Sequence, residues 1–307
     1  MGLGFLIFRE MWIKNPIVNF RVLGERNLAM SCIMIFCAYA VLYGNSFSLP
    51  NLLQSLFGYD AYVSGLVLSP GGITSITALL VAGILLAQGP RWLVYWLVRR
   101  LFPWWWMSVD RREVPSRPMD ARRLIATGLI ILAVSNYWFS QLNLQIGPWQ
   151  VIWPRMLLTL GLGLIFAPIN VAAFKYTPVH LRGAAVGLLA LLRNEGGSVG
   201  TSISQTIQER REQFHLSRLG ESLNPLNPAT NSYMQQAQSF FLQRTGDPAG
   251  SQQRALQTLD NLRQQQAASL AYFDVFWVCA VLAIVLVPLV LFMKRSVAEK
   301  GAHIGGE

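Results

Sequence analysis

The sequence predicts an all-α, polytopic membrane protein with six transmembrane helices and a helical hairpin outside the membrane. Of its 307 residues, 53% are hydrophobic and only 13% are charged, which is too apolar for an ordinary soluble domain. Six apolar segments are each long enough to cross a hydrocarbon core of roughly 30 Å as one helix. A separate hydrophilic stretch, residues 208–268, carries apolar residues at helical spacing.

Composition also excludes several function classes. The net charge of +10 comes from basic residues beside the apolar spans rather than from a basic domain, so nucleic acid is not an expected partner. The histidines are scattered over three regions and form neither a metal cluster nor a triad, and the cysteines lie inside apolar spans without metal-ligand spacing: His180, His215 and His303; Cys32, Cys37 and Cys279. The sequence therefore predicts no enzyme activity, no metal and no cofactor, and the lipid bilayer as its surroundings.

Residues 1–26 are predicted to be a cytoplasmic connection that starts with the tail of a missing helix, because the apolar run at their beginning is too short to span. Residues 27–207 are predicted to form a five-span membrane bundle. Its first span, Asn27–Leu49, stops before Pro50, and its second, Ala61–Gln88, contains Ser69-Pro70-Gly71-Gly72. This proline-glycine run predicts a kink whose freed carbonyl groups find partners within the bundle.

Residues 89–121 combine Trp and Arg over an apolar run that is too short to cross the membrane. We expect this segment to lie in the headgroup region on the cytoplasmic side. The third span is Leu124–Leu142, and the fourth, Trp149–Tyr176, contains Pro168 as a second kink candidate.

The fifth span, Arg182–Ile207, is the segment around which the chain is organised. It places Arg193 and Glu195 near the middle of the bilayer, where a charge faces a partner or a water-filled cavity. Side chains two positions apart point in different directions around a helix, so we expect separate partners rather than a mutual ion pair. The glycines that come after this pair allow a neighbouring helix to approach closely.

Residues 208–268 are predicted to form a periplasmic or external helical hairpin, in which Asp247-Pro248 caps one helix. The sixth span lies at 269–293, and residues 294–307 form a cytoplasmic tail. Basic residues gather before the first span, between the second and third, between the fourth and fifth, and after the sixth. This distribution predicts that both termini are cytoplasmic.

Several separated motifs resemble the last helices of the EmrB/QacA type, the fourteen-helix drug:proton antiporters of the major facilitator superfamily. They recur in order across nearly the whole chain: Leu49-Pro50 with Gln54, Gly58-Tyr59 and Ala61; Gly65 and Ser69-Pro70-Gly71-Gly72; Trp153-Pro-Arg155; Gly161-Leu-Gly163; Ala167-Pro168-Ile-Asn170; Leu181-Arg182-Gly183; Leu192-Arg193-Asn194-Glu195-Gly196-Gly197-Ser198 with Gly200; Leu270-Ala-Tyr272-Phe-Asp274-Val-Phe276. The first eight helices are absent. The usual compact cytoplasmic turn is replaced by Gln88–Pro118, after which Met119-Asp120-Ala-Arg122 resumes the pattern.

The resemblance implies the C-terminal half-bundle of a proton-coupled multidrug efflux transporter in a bacterial inner membrane, exporting amphipathic toxic compounds by alternating access. Its partners would be drug-like substrates, protons, a missing N-terminal half and, where the host has an outer membrane, a periplasmic adaptor protein contacting the hairpin. The alternative from another class is a non-transporting membrane scaffold or a decayed transporter fragment. Restored drug resistance on co-expression with a matching N-terminal half separates the two.

Two sets of residues are candidates for function. The first set could line the transport pathway or couple transport to protons: Arg193, Asn194, Glu195, Asn170, Asn136 and Arg155. The open alternative for these residues is a structural role in pairing, snorkelling or interhelical hydrogen bonds. Residues that could act as close-packing devices or as hinges are Pro70, Gly71, Gly72, Pro168, Gly196, Gly197 and Gly200.

Overall fold

A computed structural model describes residues 23–87, 119–145, 147–223 and 227–296, and every longer element within these ranges is an α-helix. The predicted interfacial segment 89–121 lies outside the described residues except for its last three, as do residues 1–22 and 297–307. In chain order the helices are α1 (Arg26–Ser55), α2 (Ala61–Leu68), α3 (Pro70–Ala87), α4 (Ala121–Ser140), α5 (Pro148–Lys175), α6 (Arg182–Ser222), α7 (Pro228–Thr245) and α8 (Pro248–Leu291), with a short 3₁₀ turn at Val179–Leu181 before α6.

Five segments in the described part of the chain are long and apolar enough to cross a membrane: α1, α2 and α3 taken together, α4, α5 and α8. This confirms the all-α, polytopic membrane architecture. The helix predicted as the fifth span, α6, is not among them, so apolarity supports five spans rather than six. Arg193, Asn194 and Glu195, in the middle of the predicted span, lower its hydropathy, and α6 joins the bundle through its packing instead.

Close packing against α1 holds α6 in the bundle despite its lower hydropathy. A Cβ atom on Gly196 would overlap the carbonyl oxygen of Phe36, and one on Gly200 would overlap the backbone of Ala40. Both helices are therefore in direct backbone contact, an approach that only glycine permits here. The contacting residue numbers rise together, so α1 and α6 run parallel.

Small residues also join α5 to its neighbours. A Cβ atom on Gly161 would lie 2.9 Å from the carbonyl oxygen of Gly128 in α4, and Ser135 Oγ donates to the carbonyl oxygen of Pro154 at 2.6 Å. These contacts make α4 and α5 antiparallel. On its other side α5 packs along α3, where Gly163 faces Ala78.

The second span is interrupted at Ser69, where a kink is predicted: α2 ends at Leu68 and α3 begins at Pro70. Hydroxyl groups supply partners for the carbonyls near the break. Ser69 Oγ donates to the Leu66 carbonyl at 2.9 Å, and Thr74 Oγ1 donates to the Gly71 carbonyl at 3.0 Å. Ser69 Oγ thus supplies the Leu66 carbonyl with the donor that Pro70, four residues later, lacks.

One proline prediction needs correction. Pro50 does not end the first span, because α1 continues through it to Ser55. Burial of Leu49, Leu52 and Leu53 on either side of the proline outweighs the one lost backbone hydrogen bond. Pro168 lies buried inside α5, and the kink there stays a prediction.

Polar contacts tie several helix ends together at one end of the bundle. Asn27 Nδ2, at the start of α1, donates to Ser296 Oγ beyond α8 at 3.0 Å. The Ser296 N–H in turn donates to Asp120 Oδ1, at the N-terminus of α4, at 3.1 Å. The start of α1 and the end of α8 therefore lie at the same end of the bundle.

Helices α6 and α8 project beyond the opposite end. With 41 and 44 residues they are about 60 Å and 66 Å long, twice the roughly 30 Å hydrocarbon core. Helix α7 packs against α8, and Asp247 caps α8 as predicted by accepting from the N–H groups of Ala249 and Gly250. The described residues of the hydrophilic segment 208–268 are thus helical except at the two connections on either side of α7.

Candidate functional site

Arg193 lies over an aromatic cluster that joins three helices. Its guanidinium carbon is 5.1 Å from the ring centroid of Tyr39 in α1, and that ring is 4.7 Å from the ring of Phe166 in α5. Arg193 is eleven residues into α6, about 17 Å along the helix axis and close to half of a roughly 30 Å core. Among the described residues, the charge at this depth contacts the face of the Tyr39 ring and makes no ion pair with a carboxylate.

The guanidinium of Arg193 retains unused hydrogen-bonding capacity. Its Nε atom is buried and has no hydrogen-bond partner among the residues that the structure describes. A buried N–H without an acceptor is costly, by about 1–3 kcal/mol. The Nε atom is thus a donor that lacks an acceptor inside the described part of the bundle.

A second arginine with the same property lies on α5. Arg155 has buried Nε and Nη1 atoms, again without a hydrogen-bond partner in the described part of the chain. Its side chain fills the space that Gly71 leaves open at the start of α3, where a Cβ would lie 3.2 Å from Arg155 Nε. One turn further along α5, Thr159 Oγ1 and Thr74 Oγ1 are 2.6 Å apart, a hydrogen bond between α5 and α3.

The helical spacing of Arg155, Thr159, Phe166 and Asn170 places them along one side of α5. Asn170 is half-buried, and its Nδ2 donates to the Phe166 carbonyl at 2.9 Å. Asn170 Oδ1 takes no part in that bond. One side of α5 therefore carries a guanidinium, a hydroxyl, an aromatic ring and an amide.

Asn194 and Glu195 are exposed on α6, next to the half-buried Arg193. No ion pair joins Arg193 to Glu195 in the structure as described, in line with their spacing. Ser198 and Ser202 continue the exposed surface along the same helix. We call Asn194, Glu195, Ser198 and Ser202 the polar face of α6.

Asn136 lies apart from these groups. It is 0% exposed in the core of α4, and its Nδ2 donates to the Leu132 carbonyl at 2.9 Å while its Oδ1 has no partner among the described residues. Its full burial separates it from any open surface of this chain.

The predicted packing and hinge residues fall into two groups. Gly71, Gly196, Gly197 and Gly200 are buried against neighbouring side chains or backbone, and a Cβ atom on Gly197 would lie 3.1 Å from the ring of Tyr43. Gly72 differs, because a Cβ atom there would meet nothing within 4 Å. Pro70 starts α3 directly after the break in the second span.

Sequence reasoning missed the aromatic partners of Arg193. Tyr39 and Phe166 lie within apolar spans where aromatic residues are ordinary, so only the predicted need for a separate partner pointed to them. Also missed was a charged cluster outside the core of the bundle. Asp274 Oδ2 in α8 is 2.8 Å from His215 Nε2 and 3.0 Å from Arg211 Nε, both in α6.

Several known export and resistance proteins are similar to this chain. No protein-family model matches the chain. The multidrug export protein EmrB of Escherichia coli is 27% identical over 304 residues, which is 98% of this chain and 52% of EmrB. The chain is a relative of the major facilitator type drug-efflux proteins.

Further relatives of the same type match over most of this chain. The fatty acid resistance protein FarB of Neisseria gonorrhoeae is 25% identical over 292 residues, 95% of this chain and 50% of FarB. The MFS-type transporter YhcA of Bacillus subtilis is 26% identical over 223 residues, 72% of this chain and 36% of YhcA. The chain thus spans about half the length of the drug-efflux relatives EmrB and FarB.

Proposed function

We propose that this chain is the C-terminal half of a proton-coupled multidrug efflux transporter that exports amphipathic compounds across a bacterial inner membrane. Alternating access would come from this half rocking against an N-terminal half around a site between them. The relatives EmrB and FarB are efflux and resistance proteins of about twice this length, which supports a function shared with a second half.

The observation that carries the proposal is a contrast between the exposed faces of the bundle. Helices α4 and α8 expose large apolar side chains, among them Ile130, Val134 and Ile284, which suit contact with lipid tails. The polar face of α6 carries a carboxylate, an amide and two hydroxyl groups on the same bundle. Polar side chains at this depth belong against protein or a water-filled cavity, and an N-terminal half supplies both.

The arginine–aromatic cluster is suited to amphipathic molecules. The rings of Tyr39 and Phe166 offer apolar contact, while the unpartnered Nε of Arg193 donates a hydrogen bond to a polar group. Arg155, beside the break at Ser69, offers further donors. We therefore assign substrate contact to these four residues, with Asn170 as a nearby amide.

We assign proton coupling to Glu195. Its carboxyl group is exposed on the face that an N-terminal half would cover, so it would exchange protons with the enclosed cavity. Arg193 is two positions away along α6 but directs its charge toward Tyr39. Asn194 would line the same cavity without titrating.

We place the end of the bundle that contains Asn27 and Ser296 in the cytoplasm, because the basic connections of the sequence gather there. The projecting segment 208–268 would then lie in the periplasm. Its helices carry exposed apolar side chains, including Phe214, Phe240 and Leu256. These offer a surface for a periplasmic adaptor protein.

Cysteine cross-linking tests whether the polar face of α6 meets an N-terminal half. With Cys32, Cys37 and Cys279 replaced by Ser, Ser198→Cys is co-expressed with the N-terminal half of Escherichia coli EmrB carrying cysteines along its helices. We expect a cross-linked product for Ser198→Cys and none for Val134→Cys, the lipid-facing control on α4. Stable insertion with equal labelling and no cross-link from Ser198→Cys would instead support a non-transporting scaffold.

A further inference from the structure

A continuous groove runs along the outside of the bundle between α4 and α8. It consists of two cavities of about 570 Å³ and 550 Å³ that share Val287 and Pro288. One cavity is almost entirely apolar and the other contains charged side chains at its end. Neither cavity includes a residue of the arginine–aromatic cluster or of the polar face of α6, so a role for the groove is independent of the transport proposal.

The apolar part of the groove is formed by small residues between large ones. Ala133 and Ala280 are buried at its floor. Larger side chains stand at its edges and are about half exposed, namely Ile130, Val134, Tyr137, Trp277 and Ile284. From residue 123 to residue 137 of α4 the groove extends about 21 Å, longer than half of a roughly 30 Å hydrocarbon core.

The other end of the groove is cationic. Three arginines, Arg122, Arg123 and Arg295, line it with one aspartate, Asp120. Asp120 is turned inward and already accepts from the N–H groups of Arg122 and Ser296. The excess charge at this mouth is therefore positive.

The three arginines differ in whether their side-chain donors already have partners among the described residues. Arg122 Nη1 donates to the Met293 carbonyl at 2.7 Å and holds the end of α8 in place. Arg295 is largely exposed, and the one ion pair of its side chain with the described residues is a 3.7 Å contact with Asp120. Arg123 is exposed and its side chain has no hydrogen bond or ion pair to the described residues. Arg123 and Arg295 are thus available to an anion at the groove mouth.

We propose that this groove binds an anionic glycerophospholipid from the leaflet at the arginine end. Arg123 and Arg295 bind the phosphate, and one acyl chain lies along the apolar floor between α4 and α8. Basic pockets between transmembrane helices recognise anionic headgroups in this way. The groove differs from the rest of the lipid-facing surface because its cationic mouth leads into an apolar channel that is long enough for part of an acyl chain.

The test measures lipid binding to the purified full chain by native mass spectrometry, with phosphatidylglycerol and phosphatidylcholine of identical acyl chains. We expect the chain to retain phosphatidylglycerol selectively. The double variant Arg123→Gln, Arg295→Gln should bind it about 25-fold more weakly, taking roughly fivefold for each arginine. Arg210→Gln, Arg254→Gln removes the same charge from exposed positions of α6 and α8 outside the groove, and it should change binding less than twofold.

A second pair of variants tests the acyl-chain channel. Ile284→Trp fills the groove, whereas Val285→Trp enlarges the next residue, equally exposed but outside the groove. We expect only Ile284→Trp to lower phosphatidylglycerol binding, by at least tenfold. Equal retention of both lipids by the wild-type chain would overturn the proposal. So would displacement by soluble glycerol 3-phosphate at equal concentration, because it would reduce the site to a phosphate contact.

Discussion

Replacing Gly200 by Ala should separate α1 from α6 and destabilise the bundle. The added Cβ atom would overlap the backbone of Ala40. Backbone atoms cannot rotate away, so the two helices must move apart. Gly187→Ala is the matched control, because Gly187 lies on the same helix and a Cβ atom there meets nothing within 4 Å.

Both substitutions gain helix propensity, but only Gly200→Ala also overpacks a contact between two helices. Alanine is about 1 kcal/mol better than glycine in a helix interior, which should stabilise the Gly187 variant. Overpacking typically costs about 1–3 kcal/mol, and displacement of a helix–helix contact places Gly200→Ala at the upper end of that range. We therefore expect the Gly200 variant to be about 2 kcal/mol less stable than the wild type, and about 3 kcal/mol less stable than the Gly187 variant.

Unfolding of both variants by sodium dodecyl sulphate, followed by circular dichroism, measures this difference. A gap of about 3 kcal/mol corresponds to roughly two orders of magnitude in the unfolding equilibrium constant. Stabilities for Gly200→Ala and Gly187→Ala that agree within about 0.5 kcal/mol would refute the direct packing of α6 on α1.

Three further predictions concern the polar residues and the projecting helices, and a fourth concerns the charged cluster at Asp274. Glu195→Gln should leave folded yield unchanged, since the side chain is exposed, but should alter the pH dependence of efflux in an assembled transporter; Glu209→Gln, further along α6, should leave it unaltered. Arg193→Ala should lower folded yield more than Glu195→Gln, because it removes a contact with Tyr39 worth about 0.5–2 kcal/mol; equal yields would contradict that contact. Ser232→Cys in α7 should react with an impermeant thiol reagent from the periplasmic side, and labelling only after rupture of the inner membrane would reverse the orientation. Asp274→Ala should increase hydrogen exchange in the projecting part of α6, since it removes the partner of His215 and Arg211; Asp260→Ala, an exposed within-helix pair, should not.

Much of the fold could be predicted because the membrane demands long apolar helices. The second, third and fourth predicted spans agree within three residues with the bounds of α2 with α3, of α4 and of α5, and the break at Ser69 is explained by the proline-glycine run. The extent of α6 and α8 could not be predicted from apolarity, because both helices continue into a hydrophilic segment. Helical hydrogen bonding carries them past the membrane boundary without a change in backbone geometry.

The candidate site was only partly predictable. The sequence placed Arg193 at mid-membrane depth and required a partner, but it could not select Tyr39 from the aromatic residues of the other spans. Asn136 looked equivalent to Asn170 in the sequence, yet the packing of α4 buries the first completely and leaves the second half-buried. Such differences arise from contacts between helices that are distant along the chain.

The most direct test of the half-transporter proposal is proton-driven drug flux in proteoliposomes. The chain is reconstituted alone and together with a matching N-terminal half, at equal amounts of folded protein. The polar face of α6 leaves the site open without that half, so we predict no flux from the chain alone and restored flux from the pair. Robust proton-driven flux by the chain alone would contradict the proposal.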